Sequence, residues 1–202
     1  MFEAAVSPMA AIPTAATNEP LAASLAKPSS TIAVAFAQRE ATTAAVDRYE
    51  SGNLRIRFPR NLGHCQAIVV NSGGGVVGGD RLALAFDLGI EAAAVVTSQA
   101  AEKIYRSDGA IAAIDTRLRL AAGARFGWLP QETILYDGAR LDRRLSVEMA
   151  ASSTLSALEM TVFGRAASGE TLRSGSFRDR WDIRVGGRLV FAERVRLDGD
   201  IT

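Results

Sequence analysis

The chain is poor in the side chains on which most chemistry depends. Among its 202 residues there is one cysteine, Cys65, and one histidine, His64. A lone thiol cannot close an internal disulfide, which fits a reducing compartment. A lone imidazole leaves one candidate base, and without a Gly-x-Ser-x-Gly elbow a serine or cysteine hydrolase has little support. Aromatic residues make up only 6%, few for the stacking platforms of a sugar groove. Neither sign of charge prevails. The 23 basic and 22 acidic residues leave a net charge of +1, so no overall field argues for nucleic acid or an acidic membrane. No apolar run approaches the roughly twenty residues of a spanning helix. Glu3 precedes every basic residue, the first of which is Lys27, and Pro8 and Pro13 interrupt the early apolar stretch; this is not an export signal. A cytoplasmic location is the resulting expectation.

Glycine, by contrast, is concentrated. Residues 73–79 hold five glycines, Gly73, Gly74, Gly75, Gly78 and Gly79, and lead into Asp80 and Arg81. Glycine loses the most conformational entropy on folding, so such a run is kept where the backbone turns sharply or approaches another chain segment closely. Gly73, Gly75 and Gly78 match the spacing of a dinucleotide fingerprint, but that motif requires a helix to follow. Here Leu82, Leu84, Phe86 and Leu88 alternate with Arg81, Ala83, Ala85 and Asp87. That is the period of a strand, and the run is read as a bend or bulge rather than a phosphate cradle.

Two textures divide the chain. Residues 1 to about 30 are rich in Ala, Ser, Thr and Pro and carry few large apolar side chains, so they are expected to form a flexible leader. From Thr31 to the end at 202, short alternating runs separated by turn residues indicate an all-β domain with few short helices. Ile114, Thr116, Leu118 and Leu120 form one such stripe; Leu145, Val147 and Met149 form another. The clearest hairpin sets Phe177, Trp181, Ile183 and Val185 against Leu189, Phe191, Val195 and Leu197 across Gly186-Gly187. Its outward face carries Arg178, Arg180, Arg184, Arg188, Arg194 and Arg196. Those arginines are a solvated sheet face or a docking surface for an acidic partner. The stretch from Thr97 to Tyr105 reads either as a capped helix or as the continuation of a strand.

Four blocks carry a resemblance: Ser-Gly-Gly-Gly-Val-Val-Gly-Gly-Asp-Arg at 72–81, Thr-Ser-Gln-Ala-Ala-Glu-Lys-Ile-Tyr-Arg at 97–106, Trp-Leu-Pro-Gln-Glu-Thr-Ile-Leu-Tyr-Asp-Gly-Ala-Arg at 128–140, and Gly-Arg-Ala-Ala-Ser-Gly-Glu at 164–170. In this order they resemble the urease accessory protein family UreD, called UreH in some organisms. The resemblance implies a non-enzymatic scaffold with an elongated, helically wound, β-helix-like sheet. It also implies binding to apo-urease, recruitment of UreF and the GTPase UreG, and support of nickel delivery, with nickel in transit rather than tightly held. The glycine block carries one glycine more than is common in relatives. Against the family, the chain is expected to lack a C-terminal part.

A tight nickel site is not legible. His64 and Cys65 are neighbours, and in an extended segment their side chains leave opposite faces. A relay of weak oxygen ligands is the alternative, drawn from Asp80, Glu132, Asp137, Glu159 and Glu170. Each of these acids also fits a turn cap or a surface ion pair, Asp137-Gly138 most plainly. Glu159 stands apart, because it lies in the apolar run Leu155 to Phe163 and a buried carboxylate there needs an arginine such as Arg165. Trp128 and Pro130 are read as fixing a corner. The competing function is a β-helical carbohydrate-active hydrolase with paired carboxylates; the shortage of aromatics argues against it.

Overall fold

A computed structural model of the chain describes residues 29–60 and 64–200. The expected leader, residues 1 to about 30, lies almost wholly outside the described residues. Fifteen strands account for the architecture, and the only helical element among the described residues is a 3-10 turn at Ala166–Ser168. The all-β reading holds, as does the wound arrangement.

Three strands per turn repeat along the chain. β4 (Cys65–Asn71), a single bridging residue Val76 and β5 (Arg81–Leu88) make the first coil. β6 (Ala93–Ser98), β7 (Glu102–Ile104) and β8 (Ala112–Leu120) make the second. β9 (Arg125–Leu129), β10 (Thr133–Leu135) and β11 (Arg140–Met149) make the third; β12 (Thr154–Ala157), β13 (Thr161–Phe163) and β14 (Ser174–Val185) make the fourth. Equivalent strands of successive coils pair in parallel, giving three stacked sheets. Parallel strands need a crossover, and here the other two sides of each coil supply it in place of a helix. The helix reading of Thr97 to Tyr105 gives way to the strand reading, since β6 runs to Ser98 and β7 begins at Glu102.

The alternation seen in the sequence sets which face is inside. Leu82, Leu84, Phe86 and Leu88 on β5, Leu118 and Leu120 on β8, and Leu141, Leu145 and Val147 on β11 are buried against Ala94, Val96, Phe126 and Trp128 of the facing sheet. Phe86 sits with its ring centroid 5.6 Å from Trp128 and 6.0 Å from Phe126. The third sheet closes the side, with Val76, Ile104 and Leu135 inward and in register.

The glycine run makes the first corner. Val76 donates its N–H to the Lys103 carbonyl and accepts from Tyr105 N–H, so the segment lies directly on β7. A Cβ on Gly75, whose φ is +151°, would stand 2.4 Å from the Tyr105 ring and 2.9 Å from the Lys103 carbonyl oxygen. This is the close approach that the glycines permit.

The first coil is covered by β1 (Ser30–Arg39), parallel to β5; β2 (Thr42–Ser51), antiparallel to β1; and β3 (Leu54–Arg57), antiparallel to β4. Edge donors there are met by side chains: Glu50 accepts from Ile56 N–H at 2.8 Å and Ser30 from Asn53 N–H at 2.9 Å. At the other end β14 turns through Gly186 and Gly187, both at positive φ, into β15 (Arg188–Asp200). Phe177 faces Leu197 and Ile183 faces Phe191 as expected, but Trp181 faces Glu193 and Asp179 faces Val195. A register shift between Ile183 and Arg184 then puts Arg184 opposite Leu189.

Candidate functional site

The five acids singled out from the sequence divide into two kinds. Asp80 accepts from Val77 N–H at 3.0 Å, closing the glycine corner. Asp137 accepts from the N–H groups of Arg173 and Ser174 at 2.9 and 3.1 Å and pairs with Arg106 at 3.0 Å. Glu170 is ion-paired with Arg165, whose guanidinium lies 4.0 Å from the Tyr136 ring centroid. Glu132 occupies the corner before β10 and its carbonyl accepts from Glu102 N–H. These four are corner residues. Only Glu159 is directed inward, on the short corner between β12 and β13 rather than within one long strand, and its side chain is 5% exposed.

Its partner is Arg143 and not Arg165. β11 places Arg143 on the inward stripe with Leu141 and Leu145, so the guanidinium is buried with only 5% of the side chain exposed. It spreads its donors over three strands. Nε and Nη2 donate to Asp179 on β14 at 3.1 and 2.5 Å; Nη1 donates to Thr133 at 3.2 Å and Nη2 to Thr161 at 3.1 Å. Arg143 Nε lies 3.2 Å from Glu159 Oε2, but the alignment is not that of a hydrogen bond, and Oε2 is buried with no donor. The other oxygen, Oε1, accepts from the Trp128 indole at 2.8 Å. Trp128 thus lies within β9, buried in the core rather than fixing a corner, and its indole anchors the acid.

Two coils back from Glu159 lies a second interior acid, Glu102. The pairing register aligns Glu102, Thr133 and Thr161 across β7, β10 and β13, two residues before Ile104, Leu135 and Phe163 and so on the same face. Asn71 Nδ2 donates to the Glu102 carboxylate at 3.1 and 3.2 Å. Asn71, Glu102, Thr133, Arg143 and Glu159 thus form a polar track running from coil to coil inside an otherwise apolar barrel. A cavity of about 70 Å³ lies along it, lined by Glu102, Thr116, Thr133, Arg143 and Glu159 among others. That is room for a few water molecules.

Burial dominates the electrostatics of the track. It pushes the Glu159 carboxyl above its usual range; the Arg143 charge and the Trp128 and Trp181 indoles oppose this, while the Asp179 charge adds to it. Burial likewise raises Glu102, against the hydrogen bond from Asn71. For Arg143 burial works against the charge, but Asp179 and Glu159 outweigh it and hold the proton more firmly than usual. The corner acids go the other way. Hydrogen bonds from the Arg173 and Ser174 backbones hold Asp137 below the ordinary range, and that from Arg165 does the same for Glu170.

The arginines of the hairpin lie on the outer face and pair with carboxylates of β11, β14 and β15. Arg180 pairs with Asp142 at 2.6 Å, Arg194 with Asp182 at 2.5 Å, Arg196 and Arg178 with Asp198 at 2.7 and 3.6 Å, and Arg184 with Glu148 at 3.9 Å. His64 and Cys65 both border a groove of about 830 Å³ beside β2; His64 is exposed, whereas Cys65 packs against the core. Burial pushes the Cys65 thiol up. Among the described residues no three His, Cys, Asp or Glu side chains are grouped closely enough to hold a metal ion.

Glu102, Arg143 and Asp179 did not stand out in the sequence as site residues. The signal was there in phase: Arg143 replaces an apolar residue in the stripe of Leu141 and Leu145, and Asp179 does so between Phe177 and Trp181.

The wound sheet, with the glycine corner and the Trp128 block at its turns, has relatives. The profile of the UreD urease accessory protein family matches residues 29–202. The chain belongs to the UreD family. Among curated relatives, urease accessory protein UreD of Rhodopseudomonas palustris strain HaA2 is 52% identical over 154 residues, which is 76% of this chain and 55% of the relative. UreD of Methylobacterium sp. strain 4-46 is 52% identical over 161 residues, 79% and 57% of the two chains. UreD 3 of Methylorubrum extorquens strain PA1 is 47% identical over 173 residues, 85% and 58%. The chain thus spans somewhat more than half the length of the curated UreD relatives it matches.

Proposed function

We propose that this UreD-family chain is part of a non-enzymatic scaffold for urease maturation, which binds apo-urease together with UreF and UreG in the cytoplasm and lets nickel pass through its interior. The observation that carries the cation part is the buried track of Glu102 and Glu159, two carboxylates two coils apart beside a cavity in the barrel. Nickel is the cargo. Carboxylate and hydroxyl oxygens hold it weakly compared with imidazole or thiolate, which suits an ion that must leave again. Displacement of the protons that burial favours on Glu102 and Glu159 would accompany entry. The reading keeps Glu159 from the acids named in the sequence and adds Glu102; the turn acids Asp80, Asp137 and Glu170 and the corner residue Glu132 are left with local roles.

The glycan-hydrolase alternative finds less support. The interior cavity is far below the roughly 300 Å³ of an ordinary ligand pocket, and the groove of about 830 Å³ is lined by one carboxylate, Asp47. The decisive experiment replaces Glu102 and Glu159 together by glutamine in the full-length protein, co-expressed with urease and the other accessory proteins. Urease activation should fall while capture of UreF and apo-urease persists. Unchanged activation and unchanged nickel content of urease would overturn the transit reading.

A further inference from the structure

Two carboxylates and one guanidinium meet at the far end of the track, and the three are not equally joined. Asp179 takes both ends of the Arg143 fork, whereas Glu159 Oε2, buried in the cavity wall, receives no hydrogen bond. A buried acceptor without a hydrogen-bond donor is costly, and more so when charged, so its retention calls for a reason. With both carboxylates ionised the cluster carries a charge of −1 around Arg143. The oxygens nearest the guanidinium are hard ones: Glu159, Asp179 and the hydroxyls of Thr133 and Thr161. Such a set, with space for a few waters beside it, is chemically a site for a hydrated divalent cation.

We propose that Arg143 is a tethered counter-cation standing in a divalent-cation position between Glu159 and Asp179, so that an incoming metal ion settles on Glu159 only by displacing the guanidinium. This rests on the cation-transit reading above and adds how the site avoids trapping its cargo. Asp179 keeps the arginine nearby when it is displaced, and its return expels the ion by like-charge repulsion at short range. Oε2, which Arg143 meets as an ion pair without a hydrogen bond, is the point at which exchange begins.

Nickel binding to the 202-residue chain, measured by titration calorimetry with the metal salt alone and with the fold followed by circular dichroism, tests this. Arg143→Met should bind nickel at least tenfold tighter than the unaltered chain. Arg143→Lys, which keeps the charge, should not, and Glu159→Gln added to Arg143→Met should abolish the gain. If Arg143→Met does not fold, the paired change Arg143→Gln with Asp179→Asn removes the charges together and leaves Glu159 alone; it should show the same gain. A folded variant that binds no tighter, or a gain that survives Glu159→Gln, overturns the proposal. The two readings separate cleanly. A Glu159-dependent gain together with normal urease activation in the Glu102 and Glu159 double variant supports the counter-cation and removes the transit reading, whereas no gain together with failed activation does the reverse.

Discussion

Asp142, Arg143 and Arg144 are consecutive on β11, yet they belong to two charge networks on opposite faces of one sheet. Outside, Arg180 reaches Asp142, and Arg144 and Arg194 share Asp182; these arginine side chains are 42–50% exposed. Inside, Arg143, Glu159 and Asp179 are shielded almost completely. β11 and β14 contribute to both networks, and what differs is the arginines' access to water. In solvent an ion pair gains little over two hydrated ions. In the barrel the alternative to pairing is a stranded charge, so each partner becomes indispensable to the others even though the cluster need not add net stability.

The largest effect belongs to Arg143→Ala. It strands Glu159 and Asp179 and should cost about 3–5 kcal/mol of stability, read as a lowered urea midpoint. Trp128→Phe removes the donor to Glu159 Oε1 and leaves a void where the larger indole packed. A loss of about 1–3 kcal/mol is expected from the hydrogen bond; a loss that is no smaller when Glu159→Gln is also present would mean that the indole only packs.

Proton linkage sharpens the contrast. Burial raises Glu159 and Glu102 in the fold, so between the ordinary glutamate range and their raised values the folded chain holds protons that the unfolded chain has released. Stability therefore falls as pH rises through that window. Asp182, held down chiefly by the hydrogen bond from Arg194, acts in reverse: its contribution is present above the ordinary aspartate range and is lost as pH falls through its depressed value. Urea midpoints measured across pH should show the alkaline-side decline flattened in Glu159→Gln and retained in Asp182→Asn.

The smallest effect belongs to the outer face. Arg180→Ala should cost no more than about 1 kcal/mol, and less in high salt. A loss comparable to that of Arg143→Ala would erase the distinction between the faces. The same variant in a pull-down with urease and its accessory proteins tests whether this ladder also serves as a docking surface.

Much of the fold was legible because burial in a sheet has period two. The stripes of β5, β8 and β11 and the Gly186-Gly187 hairpin follow from local alternation and turn chemistry. The segment from Thr97 to Tyr105 was ambiguous because a cap-like Thr-Ser-Gln and a three-residue strand look alike when the strand's neighbours are unknown. Glu159 could be recognised as a buried acid from the apolar residues around it. Its partner could not, because Arg143 lies 16 residues away in sequence and reaches it only through the stacking of coils.

Local pattern carries the alternation of inside and outside, the corners where glycine permits close approach, and the family to which the blocks belong. Which charges meet depends on how the coils stack. Parallel stacking brings residues about one coil apart into register, aligning Glu102 with Thr133 and Thr161 and carrying Arg143 to Glu159 and Asp179. Pairing between coils depends on register and burial, which no local pattern encodes.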